Sequence, residues 1–223
     1  MSKWRYERKF IIPDYTVEEI ALGLKLHPAR FSEIYWQRRV NSLYLDTEEL
    51  DYAFENFGGS PIRTKVRIRW YGDDVTKAIS PTLEIKAKSG TVGTKISAEF
   101  PDFDLSQGLT EFKLKELLSK STLSDEMATK ISFLKPTLIT SYNRRYFQTF
   151  DKVFRITLDF DLAFLTPDLM LKYLPTHYEK NVILELKYGM THDLEARDLA
   201  SKLPYRLGRF SKFVRGLQEV WGH

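Results

Sequence analysis

The sequence predicts a mixed α+β fold in which eight antiparallel strands close into a barrel and helices pack outside it. Eight short runs alternate between apolar and polar residues, and Gly, Pro, Asp or Asn bound most of them, as is typical of strands. Eight strands are enough to close an antiparallel barrel. Five further segments have the amphipathic spacing of helices and interrupt these strands.

The predicted elements follow one another along the whole chain. The strands are expected at Trp4–Ile12, Asn41–Asp46, Arg63–Tyr71, Thr82–Lys88, Lys95–Phe100, Thr137–Phe147, Val153–Phe164 and Asn181–Tyr188. The helices are expected at Val17–Lys25, Thr110–Ser119, Ser124–Leu134, His192–Leu203 and Phe210–Trp221. Ser124 is the expected N-cap of the third helix, Pro136 follows its end, and Pro101–Leu109 is expected to form a loop. The two mid-chain helices separate the earlier strands from the last three, which suggests one barrel built from two halves.

Composition favours a single domain over residues 1–223. The chain is 43% hydrophobic, which is enough for one sizeable core. Its net charge of +4 permits an anionic partner without requiring one. Without cysteine, disulfides and thiolate metal sites are excluded. The sequence has no signal-peptide pattern and no run of about 20 apolar residues that could span a membrane, so we expect a soluble, cytoplasmic protein.

Several predicted strands carry charge on one face. Lys65, Arg67 and Arg69 alternate with apolar residues, and side chains two apart on a strand share a face. The same alternation recurs on other strands, at Glu7 and Lys9, at Glu84, Lys86 and Lys88, at Arg155, Thr157, Asp159 and Asp161, and at Glu185 and Lys187.

This face is either solvated or the binding site of a polyanion. A solvated face usually mixes Ser, Thr, Asn and Gln with its charges, whereas these positions are almost all Arg, Lys, Glu or Asp. Like charges on neighbouring strands cost a few tenths of a kcal/mol for each opposed pair, roughly, and a polyanion would neutralise them. Arg and Lys suit phosphate oxygens, so phosphate is the expected ligand, with the apolar core outside the barrel.

Carboxylates on the same face suit a divalent metal better than they suit phosphate. Glu7, Glu84 and Glu185, with Asp159 and Asp161, are oxygen ligands of the kind that Mg²⁺ and Mn²⁺ prefer. The alternative for each acid is a salt bridge across the sheet. Acids and bases together therefore predict a site for metal and phosphate.

Eight short motifs follow in order along the chain. They are Arg5-x-Glu7-x-Lys9, Ser42-x-Tyr44-x-Asp46, Lys65-x-Arg67-x-Arg69-x-Tyr71, Glu84-x-Lys86-x-Lys88, Ser141-Tyr142-Asn143-Arg144, Arg155-x-Thr157-x-Asp159, Leu184-Glu185-x-Lys187 and Phe210-Ser211-Lys212-Phe213. Together, from residue 4 to about 217, they resemble the VTC domain, the catalytic module of the vacuolar transporter chaperone polyphosphate polymerase and its bacterial relatives. That domain belongs to the triphosphate tunnel metalloenzymes, with the CYTH proteins. Arg5 stands where other tunnel enzymes have the first of two glutamates, which favours the VTC branch over thiamine triphosphatase or class IV adenylyl cyclase.

The resemblance implies a closed eight-stranded tunnel, capped by the C-terminal helix, that makes inorganic polyphosphate from ATP with Mn²⁺ or Mg²⁺. The catalytic, phosphate-binding cations that it implies are Lys9, Arg67, Arg69, Lys86, Arg144, Arg155 and Lys187. The further substrate-binding residues are Lys65, Lys88, Tyr142, Ser211 and Lys212. The implied metal ligands are Glu185, as the principal one, with Glu7 and Glu84.

Such a site can work without a general base. Phosphoryl transfer needs positioning and charge neutralisation more than a covalent nucleophile. A growing polyphosphate end is already an ionised oxyanion, so polymerisation requires no base. The four histidines fall in predicted loops or at termini and are expected at the surface; they are His27, His177, His192 and His223.

Two other functions stay open at this point, and a third is disfavoured. A tripolyphosphatase or nucleoside triphosphatase on the same fold would use water, activated by a metal or an acid such as Glu7. A non-catalytic module would bind polyphosphate or nucleotide without turnover, although Glu185 argues against it. Nucleic-acid binding is not expected, because the basic residues alternate with acids instead of clustering on one helix or among aromatic platforms. We expect neither a membrane segment nor a regulatory SPX domain in this sequence. Control by such a domain would need a separate partner, and coupled translocation would need a membrane partner.

Overall fold

The computed structural model describes residues 5–89, 92–167 and 177–222. The strands are β1 (Arg5–Ile12), β2 (Ser32–Asp46), β3 (Ile62–Tyr71), β4 (Lys77–Ala78), β5 (Thr82–Ser89), β6 (Val92–Glu99), β7 (Phe103–Asp104), β8 (Lys135–Gln148), β9 (Arg155–Leu165), β10 (His177–Glu179), β11 (Val182–Gly189) and β12 (Leu207–Gly208). The helices are α1 (Val17–Leu26), α2 (Asp51–Phe57), α3 (Glu111–Ser119), α4 (Asp125–Ile131), α5 (Asp193–Ser201) and α6 (Lys212–Trp221).

A large antiparallel sheet dominates this mixed α+β fold. Within the described ranges it has ten strands in the order β12-β1-β11-β9-β8-β2-β3-β5-β6, with β10 paired to β9. The strands β4 and β7 form a separate small sheet. In this order β12 and β6 are the two edge strands of the large sheet. Closure into an eight-stranded barrel therefore stays a prediction.

The described chain divides into two compact units, each assembled from three segments. The first unit is drawn from Met1–Arg38, Tyr142–Leu162 and Glu179–Phe210. The second is drawn from Arg39–Ser141, Ala163–Tyr178 and Ser211–His223. A single domain over residues 1–223 remains a prediction.

The core of the first unit lies between the apolar face of its strands and two helices. Strand residues such as Phe10, Ile156 and Leu184 pack with Leu24 of α1 and Leu199 of α5. Helix α1 begins where the sequence caps it. The Thr16 side chain accepts the backbone N–H of Glu19, and the Glu19 carboxylate accepts that of Thr16.

The core of the second unit follows the same plan. Strand residues such as Ile68, Trp70 and Leu83 pack with Leu114 of α3 and Ile131 of α4. In both units the apolar residues that alternate with the charged ones are those covered by helices. This confirms the prediction that the core lies between the apolar strand face and the helices.

All eight predicted strands and all five predicted helices occur, with shifted ends; Trp4, the predicted start of the first strand, lies outside the described residues. Three features differ from the expectation. Strand β2 begins at Ser32, nine residues before the predicted Asn41, helix α2 was not predicted, and the expected loop Pro101–Leu109 contains β7 and a 3₁₀ turn. Ser124 is the N-cap of α4, but its side chain makes no capping hydrogen bond. Among the described helices none has the length and apolar content of a membrane span.

The expectation that the histidines lie at the surface is wrong for His27, which is only 6% exposed. Its Nδ1 accepts the backbone N–H of Ala29 at 3.0 Å, and its Nε2 lies 3.3 Å from the carbonyl oxygen of Leu199. Burial lowers the pKa of His27, so the ring is a neutral structural group that ties two backbone segments together. His177 and His192 are half-buried, and His223 lies outside the described residues.

Candidate functional site

In the first unit the strand register places the predicted charged residues side by side. Glu185 of β11 lies opposite Lys9 of β1 on one side and Thr157 of β9 on the other. Two residues on, Lys187 lies opposite Glu7 and Arg155. Because residues two apart share a strand face, both rows belong to one polar face. We call Glu7, Lys9, Arg144, Arg155, Asp159, Glu185 and Lys187 the first-unit cluster.

Ion pairs join the members of this cluster that lie on β1 and β11. The Lys9 Nζ atom is 3.1 Å from Glu185 Oε1 and 3.0 Å from Glu7 Oε1, and it donates to the carbonyl oxygen of Phe210 at 2.9 Å. Lys187 Nζ lies 2.9 Å from Glu185 Oε2. Burial opposes the charge on Lys9, but Glu185 and Glu7 together raise its pKa. The ammonium group therefore stays protonated.

Glu7 is ionised for a related reason. Burial and the charge of Glu185 both act to raise its pKa, but Lys9 and Lys187 outweigh them, so the pKa of Glu7 lies below its ordinary value. An acid with a lowered pKa is a weak proton acceptor at neutral pH.

Arg144 of β8 is fixed by Asp159 of β9. Its Nε and Nη2 atoms donate to the two carboxylate oxygens at 2.5 and 2.7 Å, and Asp159 is fully buried. The guanidinium carbon also lies 5.2 Å from the ring centroid of Tyr142. Burial acts against the charged form, but Asp159 raises the pKa of Arg144 well above its ordinary value. This arginine is held rigidly in place.

Two buried polar atoms of β9 have no hydrogen-bond partner among the described residues. They are Nε of Arg155 and Oγ1 of Thr157. A buried donor left without a partner costs about 1–3 kcal/mol, so such atoms in a folded protein need an explanation. Both lie on the polar face, next to Lys187 and Glu185 in register. A ligand with acceptor oxygens would satisfy them.

In the second unit a single buried carboxylate holds three cations. Glu84 of β5 accepts from Arg67 Nε at 2.7 Å and from Lys95 Nζ at 2.8 Å, and Arg69 Nη1 lies 3.6 Å away. Burial acts to raise the pKa of Glu84, but Arg67 and Arg69 lower it to about 2. The hydroxyl of Tyr44 lies 3.4 Å from Arg67 Nη1. Glu84 thus orients the two predicted phosphate-binding arginines.

Beside these arginines lies a row of like charges. Lys65, Lys86 and Lys95 lie directly opposite one another on β3, β5 and β6. Two residues away along the strands, Arg63 of β3 lies opposite Lys88 of β5. Lysines paired across a sheet destabilise it, so the row favours an anionic ligand. We call Lys65, Arg67, Arg69, Glu84, Lys86, Lys88 and Lys95 the second-unit cluster.

Helix α6 covers part of this polar face. Lys65 Nζ donates to Ser211 Oγ at 2.8 Å, and the Ser211 oxygen also caps the helix by accepting from the backbone of Val214. The Phe213 ring stacks on Tyr44 with centroids 4.8 Å apart. Lys212, at the start of the helix, is 9% exposed.

Burial decides between a solvated face and a sheltered one. Glu185 is 6% exposed, Glu84 7% and Asp159 0%, whereas carboxylates on a solvated face would be accessible. Lys86 and Lys88, by contrast, are exposed at one end of the second-unit cluster. These three carboxylates are therefore sheltered, and each is paired with at least one cation.

The site residues predicted from the sequence fall into these two groups. The first-unit cluster brings together Lys9, Arg144, Arg155, Lys187, Glu7 and Glu185, with Tyr142 beside Arg144. The second unit brings together Lys65, Arg67, Arg69, Lys86, Lys88 and Glu84, with Ser211 at Lys65. Lys95 and Tyr44 were missed as partners of this cluster. Their alternating positions on predicted strands were the available signal, but only the register shows that they reach Glu84 and Arg67.

No three His, Cys, Asp or Glu side chains converge into a complete metal site within the described ranges. Glu7 and Glu185, however, approach a common point, since one oxygen of each lies within 3.1 Å of Lys9 Nζ. Mg²⁺ is commonly held by one or two carboxylates plus substrate phosphates and water. The two carboxylates are ligands of the kind that such an ion takes, but Glu185, like Glu84, already has cationic partners, which are Lys9 and Lys187.

Comparisons with known proteins show what this chain is similar to. The family model of the VTC domain matches residues 4–221. An adenylyl cyclase candidate from Hippeastrum, with a dominant triphosphatase activity, shares the fold with a TM-score of 0.55, 17% identity and 95% coverage of each chain. A candidate adenylate cyclase from Vibrio parahaemolyticus does so with a TM-score of 0.54, 12% identity and 100% coverage of each chain. A search of curated proteins finds no match. Because the match extends over nearly every residue, the chain belongs to the VTC-domain family.

Proposed function

We propose that the protein is a metal-dependent polyphosphate polymerase that transfers the terminal phosphoryl group of ATP to a growing inorganic polyphosphate chain. Membership of the VTC family supports an enzyme of phosphate transfer or hydrolysis acting on polyphosphate or triphosphate. The proposal includes closure of the eight long strands into a tunnel. It also places the reaction in the cytoplasm.

One observation carries the proposal, namely that cations are held by carboxylates on a sheltered polar face. Arg144 is fixed by hydrogen bonds to Asp159 and Arg67 by one to Glu84, and Arg69 lies 3.6 Å from the same Glu84 carboxylate. Preorganised cations stabilise the charge on a transferred phosphoryl group without having to reorganise during the reaction. Phosphoryl transfer depends mainly on such positioning and charge neutralisation.

The residues of the two clusters have distinct roles in this proposal. Arg67 and Arg69, oriented by Glu84, bind the triphosphate of ATP through paired donors. Lys9 and Arg144 neutralise phosphate charge, and both stay protonated because acidic partners raise their pKa values. The other cations of the clusters, Lys65, Lys86, Lys88, Arg155, Lys187 and Lys212, with the hydroxyls of Tyr142 and Ser211, bind phosphate groups of the donor and of the polyphosphate chain.

Glu185 and Glu7 would hold the divalent ion, which we propose to be Mn²⁺ or Mg²⁺. When bound, such an ion neutralises phosphate charge and orients the phosphoryl group. Glu84 is proposed as a further ligand of the ion. Its oxygens contact Arg67 and Lys95, as those of Glu185 contact Lys9 and Lys187.

The acceptor is proposed to be polyphosphate, since the first-unit cluster offers a poor base. Water must lose a proton when it attacks phosphate, whereas a polyphosphate end is already ionised. Glu7 has a lowered pKa, so it accepts a proton weakly at neutral pH. The alternative is a triphosphatase that uses water, and the activity described for the Hippeastrum protein of the same fold favours it.

The direct test is a product assay. The purified protein is incubated with ATP and Mn²⁺ or Mg²⁺, a gel is stained for polyphosphate, and ADP and free phosphate are measured in parallel. A polymer ladder with ADP supports the polymerase. Free phosphate without polymer, above all from tripolyphosphate, indicates the phosphatase, and no turnover with either metal indicates a binding module.

Variants then test the assigned residues. Arg67→Ala or Glu185→Ala should lower turnover on the order of a hundredfold or more, because each removes a preorganised charge from the site. Lys113→Ala is the matched control, since Lys113 is an exposed cation of α3 outside both clusters. Full activity of either site variant would contradict the assignment.

A further inference from the structure

Two tyrosines form an aromatic pair at the start of β2 and the end of β8. The Tyr35 and Tyr146 ring centroids are 5.6 Å apart with the planes at 90°. The Arg38 guanidinium carbon lies 5.2 Å from the Tyr35 centroid and 5.9 Å from that of Tyr146. Tyr35 is 48% exposed, so part of this side chain remains accessible to a ligand.

This pair lies beside the first-unit cluster. Tyr146 follows Arg144 by two residues on β8, and therefore shares its strand face. The Arg155 guanidinium carbon lies 6.0 Å from the Tyr35 centroid, while Arg155 is opposite Lys187 in register. Arg155 thus connects the aromatic pair to the phosphate-binding cations.

An independent observation indicates that a ligand belongs here. The Nε atom of Arg155 is buried and has no hydrogen-bond partner within the described part of the chain. A nucleotide combines the three features that these groups recognise, namely a π-face for a tyrosine ring, acceptor oxygens for Arg155 and phosphate charge for Lys187.

We infer that Tyr35, with Tyr146 and Arg38, is the platform on which the base of the nucleoside triphosphate donor stacks. The inference rests on the proposed function, which supplies the nucleotide. Stacking recognises the π-face that every base has, so the platform distinguishes a nucleotide from inorganic tripolyphosphate more than one base from another.

The test compares two ligands by isothermal titration calorimetry with Mg²⁺ present. The ligands are a non-hydrolysable ATP analogue and inorganic tripolyphosphate, so the measurement does not require turnover. Tyr35→Ala should bind the ATP analogue about tenfold more weakly, which lies within the range for loss of base–aromatic stacking, and should bind tripolyphosphate unchanged. Tyr35→Phe keeps the ring and should bind both ligands like the parent protein.

Tyr15→Ala is the matched control. Tyr15 is 47% exposed and makes an edge-to-face contact with Tyr205 at 5.6 Å, so the substitution removes a similar ring contact from the same unit. It should change the affinity for neither ligand. Equal weakening of both ligands by Tyr35→Ala, or no weakening of either, would overturn the platform.

The product assay and the calorimetry together separate this inference from the proposed function. If the parent protein makes polymer from ATP but Tyr35→Ala binds the analogue as well as the parent does, only the platform inference fails. If the parent protein makes no polymer but Tyr35→Ala weakens binding of the analogue alone, the platform inference stands and the proposed polymerase function fails.

Discussion

Replacing Asp159 with Asn should destabilise the fold by about 3–5 kcal/mol, the usual cost of removing one partner from a buried ion pair. Asp159 is fully buried and accepts both donors of a bidentate contact from Arg144, whose side chain is only 10% exposed. The substitution leaves that guanidinium buried beside a neutral amide. For a chain of this size the change corresponds to a fall in Tm of about 10 °C.

The assay is urea denaturation followed by tryptophan fluorescence, with the free energy of unfolding extrapolated to water. Asp161→Asn is the matched control, because Asp161 lies two residues further along β9, is exposed, and accepts from Asn143 rather than from an arginine. Its positive φ of 50° is also one that Asn tolerates. The control should stay within about 0.5 kcal/mol of the parent protein. An equally small effect of Asp159→Asn would refute the conclusion that Asp159 and Arg144 form a buried, stabilising ion pair.

Two further predictions concern the second unit. Because the pKa of Glu84 is lowered to about 2, its stabilisation is complete above its ordinary pKa of 4.5 and is lost as pH falls toward 2. At pH 6 the free energy of unfolding of Glu84→Gln should be lower than that of the parent protein by an amount on the order of 3 kcal/mol. Urea titrations at pH 3 should show a smaller difference. A constant difference would contradict the lowered pKa of Glu84 as its cause. Gly216→Val should cost about 2 kcal/mol or more, since a Cβ there lies 2.6 Å from Leu138 and 2.7 Å from Phe164. The control is Gly23→Val in α1 of the first unit, where Tyr205 is the one described residue within 4 Å of such a Cβ. It should lower Tm less, and an equal fall in Tm would contradict the close packing of α6.

The sequence predicted the long elements well where one physical signal dominated. Alternation located β3, β5 and β11, since one face of each packs against a core and the other carries charge. The first half of β2 gave no such signal, because it reads Tyr35-Trp36-Gln37-Arg38-Arg39 without regular alternation. Helix α2 was missed because its N-cap is Leu50, which has a positive φ of 61° and no capping side chain of its own. The side chains that accept the first N–H groups of the helix belong to Asp46 and Thr47, which lie four and three residues earlier.

The site was predictable as a set of residue types but not as a set of pairs. Alternation shows that Arg67, Arg69 and Glu84 lie on charged faces, but which cation meets which acid depends on register, and register is set by tertiary pairing. For the same reason His27 was assigned to the surface. Its burial follows from contacts with Ala29 and with the distant Leu199, of which the second has no local sequence signal.

The pairing of β1 with β11 also determines when the first-unit cluster can exist. Contacts such as Arg8 with Tyr188 join residues 180 positions apart. Closing so long a loop costs entropy before any contact offsets it, so this pairing should form late and slowly. During synthesis β1 emerges well before β11 and cannot pair with it until the residues between them have been made. An unpaired strand edge is prone to aggregation, so the nascent chain would be most vulnerable while Lys9 still lacks Glu185.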